Sequence, residues 1–148
     1  MNTLIAALGF ALLLSTQVMA VKTPVAEPAL NTQIGWGLTH SGMLFVSYDL
    51  DQNGKSDYFT LRIVKTSFFS KSSIQDTAHN YPLHIVFSVD YKSSCYYYIS
   101  EPKPLFYAFD FDEDGHWDVI YKDVLTDGVN GNEEYYDSPS EKRPLNVS

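Results

Sequence analysis

The chain has 148 residues, which is the length of one domain and leaves no room for a second independent core. Its net charge of −8 argues against nucleic acid or an anionic membrane as a partner, because a phosphate-binding surface needs clustered Lys and Arg. Cys95 is the only cysteine, so it is interpreted as a small buried hydrophobe rather than as half of an intermolecular disulfide.

The N-terminal segment has the character of an export signal. Residues 4–14 are uncharged and apolar but too few to cross a membrane. Ala20 suits cleavage before Val21, although no basic residue precedes the apolar run. We therefore predict a signal peptide over residues 1–20, a periplasmic or secreted protein, and no stable membrane insertion after cleavage. The alternative is an uncleaved helix that tethers the protein to a membrane.

The first half of the remaining chain predicts an extended lead-in followed by two strands. Residues 21–32 contain two prolines and no clean period, which is typical of extended chain. Apolar side chains then alternate along residues 43–50 and again along residues 59–63, which predicts a strand in each place. A Ser-rich stretch over residues 66–80 is interpreted as a connection.

The second half predicts a hairpin and two further strands. The hairpin arms are residues 83–89 and 95–100, and the two strands are residues 105–111 and 119–121. Residues 138–148 are interpreted as a flexible tail, so residues 21–137 form the single domain. The buried face of the first hairpin arm is expected to consist of Leu83, Ile85, Phe87 and Val89.

The strand of residues 43–50 and that of residues 105–111 repeat the same apolar pattern. The matching positions are Leu44, Val46, Tyr48 and Leu50 in the first strand, and Leu105, Tyr107, Phe109 and Phe111 in the second. We expect a mainly β fold, a small antiparallel sheet or sandwich with two strand–loop–strand units.

Each of these units contains a nine-residue acidic loop, and both loops have the sequence Asp-x-Asp-x-(Asn/Asp)-Gly-x-x-Asp. Positions 1, 3, 5 and 9 offer side-chain oxygens and position 7 a backbone carbonyl, while glycine at position 6 permits a sharp turn. A hard cation such as Ca²⁺ prefers this set of oxygens. The predicted ligands are Asp49, Asp51, Asn53, Lys55 and Asp57 in loop 1 (residues 49–57), and Asp110, Asp112, Asp114, His116 and Asp118 in loop 2 (residues 110–118).

These loops resemble the Asp-x-Asp-x-Asp-Gly calcium loops of dockerins, thrombospondin type 3 repeats and FG-GAP propeller repeats. They are most similar to the FG-GAP type, because a strand rather than a helix follows each loop. The resemblance covers only the two loops and their flanking strands, and it implies that the same positions hold Ca²⁺. The chain has two copies rather than many blades, and it lacks the paired helices of a dockerin. The resemblance therefore implies a metal and no particular partner.

Two Ca²⁺ sites are therefore predicted, since Mg²⁺ resists dehydration and seldom uses an all-protein cage. Position 12, where an EF-hand carries a bidentate Glu, is Thr60 or Tyr121 here, so dissociation constants of roughly 10⁻⁵ to 10⁻³ M are expected. Loop 2 has four carboxylates against three and an amide in loop 1, so it is expected to bind more tightly. A further acidic stretch, residues 127–134, is interpreted as a tight surface turn; alternatively, Glu133 or Glu134 folds back to supply a ligand to loop 2.

The sequence favours a non-enzymatic role. It contains no nucleophile elbow, zinc-binding pair or phosphate-cradling glycine loop, and its histidines are scattered. We predict an exported calcium-binding protein with structural metal loops, acting as a binding or structural module for a protein or carbohydrate ligand. Trp117, at position 8 of loop 2, is interpreted as a core residue rather than a sugar-stacking one. The alternative function is a divalent-metal-dependent hydrolase that uses one acidic loop catalytically.

Overall fold

The computed structural model describes residues 25–137, and this part of the chain is mainly β, as predicted. The predicted signal peptide and C-terminal tail lie outside the described residues. The described part begins with an extended segment and a 3₁₀ turn at Leu30–Thr32, and it contains one α-helix, α1. The elements are β1 Gly35–Leu38, β2 Leu44–Tyr48, β3 Tyr58–Arg62, β4 Val64–Ser70, α1 Ile74–Asn80, β5 Ile85–Asp90, β6 Cys95–Ser100, β7 Phe106–Phe109, β8 Val119–Lys122 and β9 Glu134–Asp137.

The strands form two antiparallel sheets. The large sheet has six strands in the order β1-β2-β3-β7-β8-β9, and the small sheet has three in the order β4-β6-β5. Loop 1 joins β2 to β3 and loop 2 joins β7 to β8. Because β3 pairs with β7, with Tyr58 opposite Phe109, the two loops lie side by side at one end of the large sheet. The two predicted strand–loop–strand units are therefore neighbours.

The main core lies between one face of the large sheet and the small sheet. The repeated apolar positions supply it from Leu44 through Tyr48 in β2 and from Tyr107 through Phe109 in β7, and Phe87 of β5 packs against them. The prediction fails at the last position of each repeat, because Leu50 is 41% exposed and Phe111 is 56% exposed. Both residues follow the end of their strand and belong to the loops, so the alternation no longer applies to them.

The Ser-rich stretch is not an irregular connection, which corrects that interpretation. It forms most of β4, which pairs with β6, and then α1. Ser73 caps the helix, since its hydroxyl accepts a hydrogen bond from the Asp76 N–H at 3.1 Å. Seven residues give too little sequence for a helical period to be recognised.

The predicted hairpin is present as β5 and β6, but its buried face differs from the prediction. Phe87 is buried, whereas Leu83 precedes the strand and is 77% exposed. β6 is the central strand of the small sheet, which agrees with aromatic residues on both of its faces. Cys95 is a free thiol at the start of β6 and is only partly buried, contrary to the predicted burial.

Polar residues of β3 face the core, which the sequence did not reveal. Arg62 is 1% exposed, and its guanidinium pairs with the carboxylate of Glu27 in the extended N-terminal segment. Tyr48 and Thr60 also donate their hydroxyl hydrogens to Glu27, at 2.8 and 2.6 Å. The Tyr58 hydroxyl bonds to the Val25 carbonyl at 2.6 Å. This network fixes the N-terminal segment across the middle of the large sheet and pairs an otherwise costly buried charge.

Within residues 25–137, no helix combines the length and the apolar composition that crossing a membrane requires.

Candidate metal centre

Loop 1 is closed by hydrogen bonds from backbone amides to its first and last aspartates. Asp49 accepts from the Asn53 and Gly54 amides at 3.1 and 2.7 Å. Asp57 accepts from the Leu50 amide at 2.8 Å and from the Asp51 amide at 3.3 Å. The chain thus curls around its own carboxylates, because backbone N–H groups are the nearest available donors.

Loop 2 repeats this closure with the equivalent residues. Asp110 accepts from the Asp114 and Gly115 amides at 3.1 and 2.9 Å. Asp118 accepts from the Phe111 amide at 2.7 Å. The duplication recognised in the sequence is therefore also a duplication of backbone conformation.

Each loop contains the same two left-handed backbone positions. Position 6 has φ +93° at both Gly54 and Gly115, a conformation that favours glycine. Position 4, Gln52 or Glu113, has φ 61° or 55°, which non-glycine residues adopt less often. These two positions let the chain reverse within a few residues and direct the side chains of the loop inward.

The aspartates at positions 1, 3 and 9 form one acidic group in each loop, and each group could hold a metal ion. One carboxylate oxygen from each of Asp49, Asp51 and Asp57 lies within 4.8 Å of the others. The equivalent oxygens in loop 2 meet the same limit: those of Asp110, Asp112 and Asp118.

Of the residues predicted at positions 5 and 7, Asp114 and His116 do not belong to these acidic groups. The side-chain oxygens at position 5, of Asn53 and Asp114, accept the amide of position 7 at 2.9 and 2.7 Å. At position 7, the Lys55 side chain is 70% exposed and His116 is also exposed, as expected if only the backbone carbonyl of this position binds a metal. Coordination by the position 7 carbonyls remains a prediction.

The two loops differ in how firmly the fold buries them. Asp110 is 4% exposed, and Trp117 of loop 2 packs into a second apolar cluster with Phe45, Leu61 and Ala108, as its core interpretation predicts. Position 8 of loop 1 is the small Ser56. Loop 2 is therefore held by the core, and loop 1 is more exposed to solvent.

The carboxylates of each group disturb one another. Burial, together with the charges of Asp114 and Asp112, raises the pKa of Asp110. Desolvation and the charges of Glu113 and Asp57 raise the pKa of Asp51. Desolvation acts in the same direction on Asp49, but the hydrogen bonds from the Gly54 and Asn53 amides lower its pKa. A bound cation would relieve this mutual repulsion.

The loops also contact each other directly. The Asp110 amide of loop 2 donates to the Asp57 carbonyl of loop 1 at 2.9 Å. Glu113 of loop 2 reaches across to loop 1, where its carboxylate lies 3.1 Å from the Lys55 ammonium and accepts a hydrogen bond from the Asn53 side-chain amide. The two acidic groups therefore belong to one connected structure.

A third loop with the same skeleton follows β8, at the opposite end of the large sheet. Asp123 accepts from the Asp127 and Gly128 amides at 3.3 and 2.8 Å, as the first aspartates of loops 1 and 2 do. Thr126 and Gly128 repeat the positive φ values, 54° and 93°. We call residues 123–131 loop 3. Its positions 3 and 9 are Leu125 and Gly131, so it lacks two of the four side-chain oxygens.

Loop 3 was not predicted from the sequence, because the predicted acidic turn begins at residue 127 and omits Asp123. The signal was Asp123 together with Asp127-Gly128, which match positions 1, 5 and 6 of the other loops. The carboxylate of Glu133 accepts the Asn130 and Gly131 amides at 2.7 and 2.9 Å, as the turn interpretation predicts, rather than completing loop 2. The Glu134 carboxylate accepts the Tyr136 hydroxyl at 2.7 Å.

Fold and site together define a mainly β protein whose large sheet carries two adjacent acidic hairpin loops, each of which could hold a metal ion. Comparison of the chain with protein families, with characterised proteins and with solved structures finds no match.

Proposed function

We propose that this chain is an exported calcium-binding protein whose two metal loops are mainly structural, and that it acts as a binding or structural module. The observation that supports this most strongly is the duplicated site. Two loops with one sequence pattern and one set of backbone hydrogen bonds each bring three carboxylates within 4.8 Å. Unrelated acidic surface turns would have no reason to share both features.

Calcium is the ion that best fits the donors. Every side-chain donor in the predicted sets is an oxygen, and Ca²⁺ takes roughly six to eight oxygen ligands in flexible geometry. The four side chains and one carbonyl of each loop would supply most of these ligands, and water the remainder. Mg²⁺ demands a stricter octahedron and keeps several waters, so it suits this loop less well.

The position of the loops in the large sheet supports a structural role. Each loop closes a hairpin of the large sheet, and the strands β3 and β7 that flank them are paired. Without a cation, burial and also repulsion from neighbouring carboxylates raise the pKa values of Asp51 and Asp110. A bound cation would change that repulsion into attraction and fasten four strands at one end of the sheet.

We also propose that the protein is exported and that it binds a protein or carbohydrate ligand. The apolar segment within residues 1–20 supports cleavage and delivery to the periplasm or the exterior, where free calcium is more available than in the cytosol. Trp117 is buried, so a protein or carbohydrate ligand would have to contact other aromatic side chains. Two exposed rings lie together at the small sheet: Phe69 of β4 and Tyr91 of the β5–β6 turn are 62% and 55% exposed, with centroids 5.6 Å apart.

Thermal unfolding with calcium and with a chelator tests the structural role. We expect calcium to raise the melting temperature of the wild type, and equimolar magnesium to raise it much less. The variants Asp51→Ala and Asp112→Ala should each lose part of the calcium effect, and the exposed Asp127→Ala should lose none. A melting curve that ignores calcium would reject the structural role. Because any bound ion stabilises the folded state by mass action, a metal held for hydrolysis is distinguished by metal-dependent hydrolytic activity, which the structural role does not predict.

A further inference from the structure

Glu113 is not among the predicted metal ligands, but it contacts one of them, the side-chain amide of Asn53 in loop 1. Asn53 is the only neutral side chain among the eight side-chain ligands predicted for the two loops. An amide, unlike a carboxylate, presents oxygen on one side and N–H₂ on the other. If the amide turned over, it would point N–H₂ at a cation and lose that ligand.

Hydrogen bonds from both sides fix the amide of Asn53. Its nitrogen donates to the Asp51 carboxylate at 3.0 Å and to the Glu113 carboxylate of the other loop. Its oxygen accepts the Lys55 backbone amide at 2.9 Å, as the Asp114 oxygen accepts the His116 amide in loop 2. The Asn53 oxygen thus occupies the place that a carboxylate oxygen occupies in the other loop.

Glu113 is itself held in the position from which it acts. It sits at position 4 of loop 2, where the left-handed backbone directs it toward loop 1, and its side chain is 11% exposed. The Lys55 ammonium, 3.1 Å away, helps to fix its carboxylate and contributes to lowering its pKa, after the hydrogen bond from Asn53. Gln52 occupies the same position in loop 1 and is exposed.

We propose that Glu113 is a positioning residue for the metal site of loop 1, which it serves from loop 2 by orienting the Asn53 amide. This inference rests on the proposed function, because it requires that loop 1 binds calcium. It makes the affinity of loop 1 depend on the conformation of loop 2. Loop 1 has one carboxylate fewer than loop 2, because its position 5 is Asn53. By accepting a hydrogen bond from the Asn53 nitrogen, Glu113 keeps the Asn53 oxygen available as a ligand and so partly compensates for the missing carboxylate.

Calcium titrations that resolve the two loops test this proposal. The Gly54 and Gly115 amide resonances report the loops separately, because each amide donates to the first aspartate of its own loop. With calcium chloride as the probe, Glu113→Ala should weaken binding at loop 1 by about tenfold, as loss of an outer-shell partner commonly does, and leave loop 2 unchanged. Glu113→Gln, which keeps an acceptor oxygen, should restore most of the affinity. Gln52→Ala is the matched control and should change neither loop.

A double-mutant cycle separates orientation of the amide from the effect of charge. In an Asn53→Asp background there is no amide to orient, so Glu113→Ala should no longer weaken loop 1. The proposal would be overturned if Glu113→Ala and Glu113→Gln lowered the calcium affinity of loop 1 equally. It would also be overturned if Glu113→Ala still lowered that affinity in the Asn53→Asp background. An equal loss at both loops would overturn it as well. If wild-type loop 1 binds no calcium, the proposed function fails with it; if loop 1 binds and ignores Glu113→Ala, only this inference fails.

Discussion

Loop 3 and the pair formed by loops 1 and 2 share a skeleton but differ in their ligands. All three loops begin with an aspartate that accepts the amides of positions 5 and 6, and all three have glycine at φ +93° or close to it. Only loops 1 and 2 carry carboxylates at positions 3 and 9. In loop 3 these positions are Leu125, which is 66% exposed, and Gly131.

Loop 3 distinguishes the positions that the turn requires from those that a metal site needs in addition. Positions 1, 5 and 6 determine the turn, because the first carboxylate satisfies backbone amides that the turn would otherwise leave unpaired. Positions 3 and 9 decide whether the turn can also surround a cation. Loop 3 retains the first set, and the carboxylate of its fully buried Asp123 accepts the Asp127 and Gly128 amides.

The largest expected effect comes from transferring the leucine of loop 3 into loop 2. Asp112→Leu should remove the calcium stabilisation of that loop, about 2.7 kcal/mol when calcium is at 100 times the dissociation constant. In calcium-free buffer the change should be within about 0.5 kcal/mol, because Asp112 is exposed. Urea unfolding with and without calcium measures both quantities. As a control, Leu125→Asp in loop 3 should create no third calcium site, because position 9 is still Gly131. If Asp112→Leu left the calcium stabilisation unchanged, position 3 would not be needed for calcium binding and this assignment would be wrong.

The next effect concerns the turn itself and does not involve calcium. Asp123→Ala should cost about 1–3 kcal/mol of unfolding free energy, since it leaves two partly buried amides of loop 3, those of Asp127 and Gly128, without an acceptor. Denaturant unfolding in the presence of chelator measures it, with the exposed neighbour Asp127→Ala as the control. A cost that appeared only in calcium would mean that loop 3 also binds the ion.

A smaller effect is expected at the glycine that the loops share. Gly54→Ala and Gly128→Ala should each destabilise the calcium-free protein by about 1–2 kcal/mol, because an L-residue is strained at φ +93°. Steric contact is not the reason, since a Cβ at Gly54 would meet nothing within 4 Å and one at Gly128 only the flexible Lys103 side chain. Similar costs in the two variants, measured by thermal unfolding, would confirm that the turn is one structure in both loops.

The smallest effect is a dependence on pH that loop 2 should show. The pKa of Asp110 is raised above 3.8, so protons compete with calcium at a higher pH than they would at an isolated carboxyl. Without calcium, the folded state binds this proton more tightly than the unfolded state, so the contribution of Asp110 to stability is lost as pH rises through its folded pKa. The calcium-induced shift in melting temperature should therefore shrink on acidification from pH 7 toward pH 4. A shift that stayed constant over this range would contradict the assignment.

Much of the fold followed from local patterns in the sequence. Alternation along residues 43–50 and 105–111 predicted β2 and β7, and the acidic repeat placed a loop after each of them. What could not be predicted depends on distant parts of the chain. Arg62 resembles a solvent-facing residue until Glu27, 35 positions earlier, supplies its partner. Glu113 lies at an unconstrained position of its loop, and only the pairing of β3 with β7 brings it to Asn53.

Calorimetric titration of the chelator-treated full chain with calcium chloride tests the central claim most directly. We expect two calcium ions per chain, with dissociation constants of roughly 10⁻⁵ to 10⁻³ M. Asp51→Ala and Asp112→Ala should each reduce the number to one, and loop 3 should contribute none. Absence of binding at millimolar calcium, or a stoichiometry that both variants leave at two, would contradict the assignment of loops 1 and 2 as the metal sites.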